Sequence, residues 1–545
     1  MKKMAPLSLL LSVMLLTTAC SGSGSSKSTT DINFEPYPQA SASNSGAYNL
    51  GQGEAGVAME AFSLNDKDIV LQYSESVNNE FNTEEYKTIV ENRFLSSQAN
   101  PLSTFAADVD TASYANIRRM LNTGELPPAD SVRIEEMINY FKYDYPDPAS
   151  GEPFSVTAQI GPCPWNENTR LLLVGLKAPD VQMENLPASN LVFLIDVSGS
   201  MNTPEKLPLV QRAFLLLCET LTEKDTVSIV TYASSDEVVL NGVNGSRKDV
   251  IMSAIENLTS GGSTAGSKGI ETAYSIAKKH FVKGGNNRII LATDGDLNVG
   301  VTSEGELTRL IEKKRKEGVF LSVMGFGTGN LKDNKMEALA NNGNGNYAYI
   351  DTIDEARKVL IEEMGGTLLT VAKDVKFQVE FNPEKVTGYR LVGYENRLMA
   401  SEDFNDDTKD GGEIGAGHQV TVLYEIVEPN SAQPIDGVSL KYQEIKPTGS
   451  EEWLTVNVRY KDPDGDTSRL LSYPVGDEAV TSILSDNMAF ASAVAQAGML
   501  LRDSAFKGTS SYLDLVTRLS RLSIVEKDPY RAEFLSLLKV LLGRD

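Results

Sequence analysis

The sequence predicts an α/β fold: a doubly wound, mostly parallel sheet inserted in a β-rich module, with helical segments toward both ends. Three observations carry this expectation. Leu191-Val-Phe-Leu-Ile195 is a continuous apolar run, the pattern of a strand buried on both faces of a parallel sheet. From residue 190 to residue 371, strand and helix patterns alternate, as helices crossing over such a sheet require. On either side, at 153–177 and 376–459, the pattern switches to short strands bounded by turn residues.

Within the alternating region the first helix is expected over 204–221, because Leu207, Val210, Phe214, Leu217 and Leu221 fall on one stripe. Strand 226–233, helices 247–258 and 267–280 and strand 288–293 follow. Helix 304–316, strand 319–324, helix 332–340, strand 347–350 and a helix near 354–364 complete the region. Residues 86–152 read as a helical N-terminal region, with helices over 111–122 and 131–141, the second capped by Asp130. Strands are expected at 376–381, 388–392, 419–427, 439–442 and 454–459, within a β-rich domain over 372–466. Residues 467–545 return to helix, including the Ala-rich stretch 488–501. The ends of an inserted domain usually lie close together. The β segments before and after it are therefore expected to form one module, with the terminal helices packed on it.

The chain has 545 residues, 41% hydrophobic and 23% charged, a globular balance with room for more than one domain. Its 50 Lys and Arg against 74 Asp and Glu give a net charge of -24. Nucleic acid and anionic membrane surfaces both require clustered positive charge, so neither is expected as the main partner. Two histidines, His280 and His418, leave too few ligands for a His-rich zinc site.

Met1-Lys2-Lys3, an apolar stretch through Leu16 and Thr17-Thr18-Ala19-Cys20 read as an export signal over residues 1–19. The stretch before Cys20 resembles the bacterial lipobox, with Thr17 where Leu is commonest, and implies lipidation of Cys20, by palmitate among other acyl chains. Residues 20–85 form the expected tether; about 40 Ser- and Gly-rich residues span roughly 35 Å as a flexible coil. The expected location is the bacterial envelope, lipid-anchored, and the outer membrane where the cell has one, since Ser21 follows Cys20. Cys163 and Cys218 are expected to be free, buried thiols.

The residues that carry chemistry begin where the first buried strand ends, at Asp196-Val-Ser198-Gly-Ser200. Ligands of open α/β sheets bind beyond the carboxyl ends of strands. Strand 289–293 ends in Asp294-Gly295, which places a second carboxylate on that edge, and the loop Gly261-Gly-Ser-Thr264-Ala-Gly266 adds a hydroxyl. An all-oxygen set suits a hard divalent cation, Mg²⁺ first, with Mn²⁺ or Ca²⁺ as substitutes. Taken alone, the five residues would serve equally as a Ser-rich turn capping a helix.

In this order the residues resemble the metal-ion-dependent adhesion site of a von Willebrand factor A domain, and residues 190–371 resemble that domain throughout. The resemblance implies that Ser198 and Ser200 ligate the metal directly and that Thr264 does so in the liganded state. It implies that Asp196 and Asp294 act through water. Leu102-Ser-Thr-Phe-Ala-Ala-Asp108, Glu135-Glu-Met-Ile-Asn-Tyr-Phe141, Asn342-Gly-Asn-Gly-Asn-Tyr347 and Gly412-Glu-Ile-Gly-Ala-Gly417 narrow the match. They resemble a group of bacterial von Willebrand A-domain lipoproteins with an extra N-terminal region and a C-terminal domain of unknown function. The implied role is a non-enzymatic, metal-dependent adhesion or scaffold module, whose protein partner offers an Asp or Glu to the metal.

A second class of function rests on Asp108-Val-Asp110-Thr111, which matches the D-x-D-x-T of haloacid-dehalogenase-type phosphatases. A hydrolase or phosphatase would use one Asp as nucleophile and the other as general acid. The preceding Ser103–Ala107 makes a weak strand, and a helix N-cap is the expected role of these residues. Gly325-x-Gly327-x-Gly329 lacks nucleotide-loop spacing and reads as a backbone turn, and Asp462-Pro-Asp464-Gly-Asp466 reads as a hairpin turn.

Overall fold

A computed structural model describes residues 83–107, 110–181, 186–263, 266–295, 304–363, 366, 369–409, 411–435, 448–463 and 465–543. The export signal, Cys20, nearly all of the tether and the strand expected at 439–442 lie outside the described residues. In chain order the strands are β1 (Leu95–Ser96), β2 (Leu102–Ala106), β3 (Ser155–Pro162), β4 (Arg170–Lys177), β5 (Ser189–Asp196), β6 (Thr226–Tyr232), β7 (Asp236–Asn244) and β8 (Asn286–Thr293). They continue as β9 (Phe320–Phe326), β10 (Tyr347–Ile350), β11 (Thr370–Phe381), β12 (Gly388–Val392), β13 (Gly412–Gly415), β14 (Gln419–Val427), β15 (Leu454–Lys461) and β16 (Ser468–Val475). The helices are α1 (Ala112–Thr123), α2 (Ile134–Asn139), α3 (Leu207–Thr220), α4 (Lys248–Glu256), α5 (Gly266–Lys279), α6 (Glu304–Lys316) and α7 (Asp333–Asn342). After α8 (Ile353–Arg357) come α9 (Asp486–Leu501), α10 (Tyr512–Leu519), α11 (Ser523–Glu526) and α12 (Pro529–Leu542).

The α/β unit is a six-stranded sheet in the order β10-β9-β8-β5-β6-β7, parallel except for β7, which runs antiparallel to β6. Every residue of β5 is buried, and the alternation of its side chains divides the two faces. Leu191, Phe193 and Ile195 pack with α3, α4 and the segment around Ala356, whereas Val192 and Leu194 pack with α5, α6 and α7. From β5 the chain winds outward through β6, then returns to place β8 on the other side of β5. The carboxyl ends of β5 and β8 therefore flank a switch point, the usual place for a ligand in a sheet of this kind.

The strands on both sides of this unit pair with one another. β4 runs antiparallel to β14, with Val174 opposite Val422 and Leu173 opposite Leu423. One sheet, β1-β12-β14-β4-β3, and a second, β13-β11-β15-β16 with β2 beside β11, enclose a common core. On β4, Leu172, Val174 and Leu176 point into that core, while Leu171 and Leu173 meet the helices. The helical layer joins Tyr114 and Phe141 from the N-terminal region to Phe490, Val494 and Phe534 from the C-terminal one. Ser485 caps α9, its hydroxyl accepting from the Met488 amide at 3.2 Å.

Several boundaries move. Residues 86–152 contain β1 and β2 as well as helices, because β2 gains its partner only in tertiary structure: it pairs with β11, and Phe105 stacks on Phe377 at 5.2 Å. β16 carries the β region past residue 466 to Val475, as an edge strand that leaves Arg469 and Leu470 exposed. β7 and β13 were not expected; both lie at sheet edges, β7 has no fully buried residue, and β13 is only four residues long. Asp130 is no cap: it sits inside a 3₁₀ turn, Ala129–Ser131, and accepts from the Ile89 amide at 2.9 Å. The helix expected near 354–364 is α8 followed by a π turn, Lys358–Glu362. Cys163 and Cys218 are free and buried, and burial pushes both thiols up to about 12.

Candidate metal centre

Asp196 is the last residue of β5 and Asp294 follows β8 directly, and both are fully buried. The loop after β5 turns because the Ser198 amide donates to Asp196 Oδ1 at 2.9 Å. Ser198 stands before a short 3₁₀ turn, Gly199–Met201, yet its hydroxyl makes no capping hydrogen bond. Instead its Oγ lies 3.1 Å from Ser200 Oγ. This separates the site from a helix-capping turn: the two hydroxyls converge on each other, not on helix amides. Thr293 Oγ1 donates to Asp196 Oδ2 at 3.3 Å, which ties the two strand ends together.

The loop that leads to Thr264 is laced to the same turn. The Gly199 amide donates to the Gly262 carbonyl at 3.0 Å, and the Gly261 amide to the Val197 carbonyl at 2.8 Å. Gly262 has φ +82, and a Cβ there would meet Ser234 Oγ at 2.5 Å, so the close approach depends on glycine. Thr264 itself lies outside the described residues.

A lysine completes the site. Lys206 is buried, its Nζ 2.9 Å from Asp294 Oδ2 and 3.1 Å from Asn330 Oδ1. The two carboxylates are thereby made unlike. Burial pushes Asp196 up to about 6, the neighbouring Asp294 charge adds to this, and the hydrogen bonds from Ser198 offset it only in part. Burial also acts to raise Asp294, but Asn330, the Lys206 ammonium and Ser200 together hold it below the usual carboxylate range.

These donors fit a hard divalent cation. Asp196 carries a buried carboxylate whose hydrogen-bond partners, the Ser198 amide and the Thr293 hydroxyl, are neutral. A buried charge with neutral partners calls for a cation or a proton. The oxygens of Asp196, Ser198, Ser200 and Asp294 would hold the metal, and the chemistry it would supply is an electron-poor centre for a ligand's anionic oxygen.

Three family models match the chain: von Willebrand factor over residues 80–173, von Willebrand factor type A domain over 190–361, and the C-terminal domain of the uncharacterized protein YfbK over 366–542. The YfbK protein of Escherichia coli (strain K12) is 44% identical over 472 residues, which cover 85% of this chain and 81% of that protein. The chain belongs to the YfbK family. Its type A domain is of the kind that generally mediates metal-dependent protein interactions. Among solved structures, a von Willebrand factor type A protein from Catenulispora acidiphila is similar at 17% identity and a TM-score of 0.39, covering 63% of this chain and 78% of that one. Proximal thread matrix protein 1 of the mussel byssus, whose own adhesion motif is occupied by zinc, is similar at 23% identity and a TM-score of 0.28. It covers 34% of this chain and 46% of that one.

The second acidic motif of this YfbK-family chain is differently employed. Asp108 lies outside the described residues. Asp110 does not cap α1, whose preceding residue Thr111 makes no side-chain capping bond either. Its Oδ1 accepts from the Tyr347 amide at 2.8 Å and its Oδ2 pairs with Arg397 at 2.9 Å. Asp110 borders a cavity of about 300 Å³ shared with Lys142, Glu362 and His418, but its two oxygens are engaged by the Tyr347 amide and Arg397. Asp110, Glu136 and Glu337 bring carboxylate oxygens within 4.8 Å of one another. Arg133 and Arg397 thread this cluster and make it an ion-pair network between the N-terminal helices and the α/β unit.

Lys206, Thr293 and Asn330 were missed by sequence reasoning. The signal for Asn330 was the Gly-rich turn ahead of it. Gly327 takes φ +75, and a Cβ there would lie 2.3 Å from Lys206 Cε and 2.4 Å from its Cγ. The turn is a seat for the lysine stem.

Proposed function

We propose that this protein is a metal-dependent binding module of the bacterial envelope, an adhesion or scaffold protein that engages another protein through an Asp or Glu side chain. The observation that carries this reading is the pairing of two fully buried carboxylates, Asp196 and Asp294, at adjacent strand ends with two converging serine hydroxyls. Mg²⁺ is the cation proposed, with Mn²⁺ or Ca²⁺ as substitutes, since the donors are all oxygen. Neutral hydroxyls from Ser198, Ser200 and Thr264 leave much of the ion's charge uncompensated, which favours an anionic partner oxygen. The net charge of -24 repels acidic partners at long range, so capture depends on the ion and not on surface attraction.

The proposed anchor is lipid on Cys20, which would hold the body on the envelope by the Ser- and Gly-rich tether. Among the described residues, no helix is long and apolar enough to cross a membrane. A phosphatase reading finds less support, because both oxygens of Asp110 are held by Tyr347 and Arg397.

Two measurements test the reading. In a pull-down from envelope extract, EDTA should abolish partner capture, Mg²⁺ should restore it, and Ser198→Ala should reduce it at least tenfold. Capture that survives both EDTA and Ser198→Ala sinks the adhesion reading. Metabolic labelling with a fatty-acid analogue should mark the wild type and not Cys20→Ala; label that persists in the variant refutes the anchor.

A further inference from the structure

The site described above already contains a cation. Lys206 reaches it from the residue before α3, and its ammonium touches one of the two carboxylates and not the neutral-partnered one. Its stem is not loosely placed. It runs over Gly327, at a position where any Cβ would overlap its Cγ and Cε, on a turn whose φ of +75 suits glycine. Asn330 on the same turn supplies the second oxygen, and the Tyr349 hydroxyl donates to the Gly327 carbonyl at 2.6 Å, fixing the turn from β10. Elements from three parts of the sheet thus hold one ammonium 2.9 Å from Asp294.

Resting on the metal-site reading above, we propose that Lys206 is an internal competitor of the divalent ion: it neutralises Asp294 in the metal-free protein and lowers metal affinity. Two physical effects follow from its position. A fixed positive charge beside the site repels an incoming divalent ion, and in a water-excluded pocket that repulsion is weakly screened. The ion pair also occupies an oxygen of Asp294 that the metal would otherwise draw upon. In the metal-free site the ammonium offsets the charge of Asp294, so Asp196 is the only one of the two carboxylates left to neutral partners, and the site can persist folded without metal. Occupancy then follows the ambient divalent-ion concentration, and partner capture becomes a graded response to it.

The test is calorimetric titration of Mg²⁺ into metal-free full-length protein, comparing wild type with Lys206→Met, which keeps the stem and removes the charge. Lys206→Met should bind Mg²⁺ at least tenfold more tightly, and the rise in melting temperature on adding Mg²⁺ should exceed that of wild type. Lys206→Arg, which keeps the charge, should stay within about threefold of wild type. Should Lys206→Met fail to fold without metal, Gly327→Ala displaces the stem instead and should also tighten binding. Equal or weaker affinity in Lys206→Met and Gly327→Ala overturns the proposal while leaving the metal site intact. No Mg²⁺ binding by any of these proteins sinks the metal-site reading, and this proposal with it.

Discussion

At the scale of single residues, Asp196 and Asp294 show how one environment can set two carboxylates apart. Asp294 has a lysine; Asp196, equally buried, has an amide and a hydroxyl. Because burial raises Asp196 from 3.8 to about 6, the folded protein holds that proton more tightly than the unfolded chain does. Its stabilising contribution is therefore fully present below pH 3.8 and is lost as pH rises through about 6. At pH 7 the ionised, buried carboxylate costs about 3 kcal/mol relative to water, which a bound divalent ion would offset. The expected outcome is a larger Mg²⁺-induced rise in melting temperature at pH 7.5 than at pH 5, where the proton competes for the same oxygens. Thermal denaturation with Mg²⁺ and with EDTA at both values measures it, and Asp196→Asn should remove the difference. A Mg²⁺ effect independent of pH would mean that Asp196 does not face the ion.

At the scale of elements, what could be read in the sequence is what burial imposes on composition. β5, β8 and β9 are buried on both faces and appear as apolar runs, and α3 and α5 carry one-sided stripes. The edge strands β7 and β16 leave adjacent residues exposed, Glu237 with Val238 and Arg469 with Leu470, and a strand held by one neighbour keeps no regular inside–outside pattern. β2 was legible only as a weak strand because its core partner, Phe377, lies more than 270 residues away in sequence. The candidate site divides in the same way. Asp196, Ser198, Ser200 and Asp294 sit at strand ends, where position along an element announces the role. Lys206 and Asn330 owe theirs to a hydrogen bond across 124 positions, which no local pattern records.

At the scale of the whole molecule, the described residues from 83 onward are clamped together by buried ion pairs. Arg118 on α1 pairs with Asp351 and Glu355 at the end of the α/β unit and with Glu533 on α12. Breaking such a pair leaves buried charge uncompensated, so the parts should unfold together. Both tryptophans report on this, because Trp165 lies in the helical core and Trp453 in the sandwich core, both outside the type A domain. Mg²⁺ should raise the unfolding midpoint of tryptophan fluorescence as much as that of far-ultraviolet circular dichroism. An unmoved tryptophan midpoint would mean that the inserted domain unfolds by itself. The pairing of β4 with β14 has a further consequence, in time. The hairpin of β3 and β4 emerges from the ribosome with Leu172, Val174 and Leu176 uncovered, and a lone hairpin is marginal in water. Its partner strand follows roughly 240 residues later, which at 5–20 residues per second is about 12–50 s of synthesis. Throughout that interval the nascent chain presents an unpaired apolar edge. The sandwich begins before the α/β unit and is sealed only after it, and a holding chaperone has a long opportunity there.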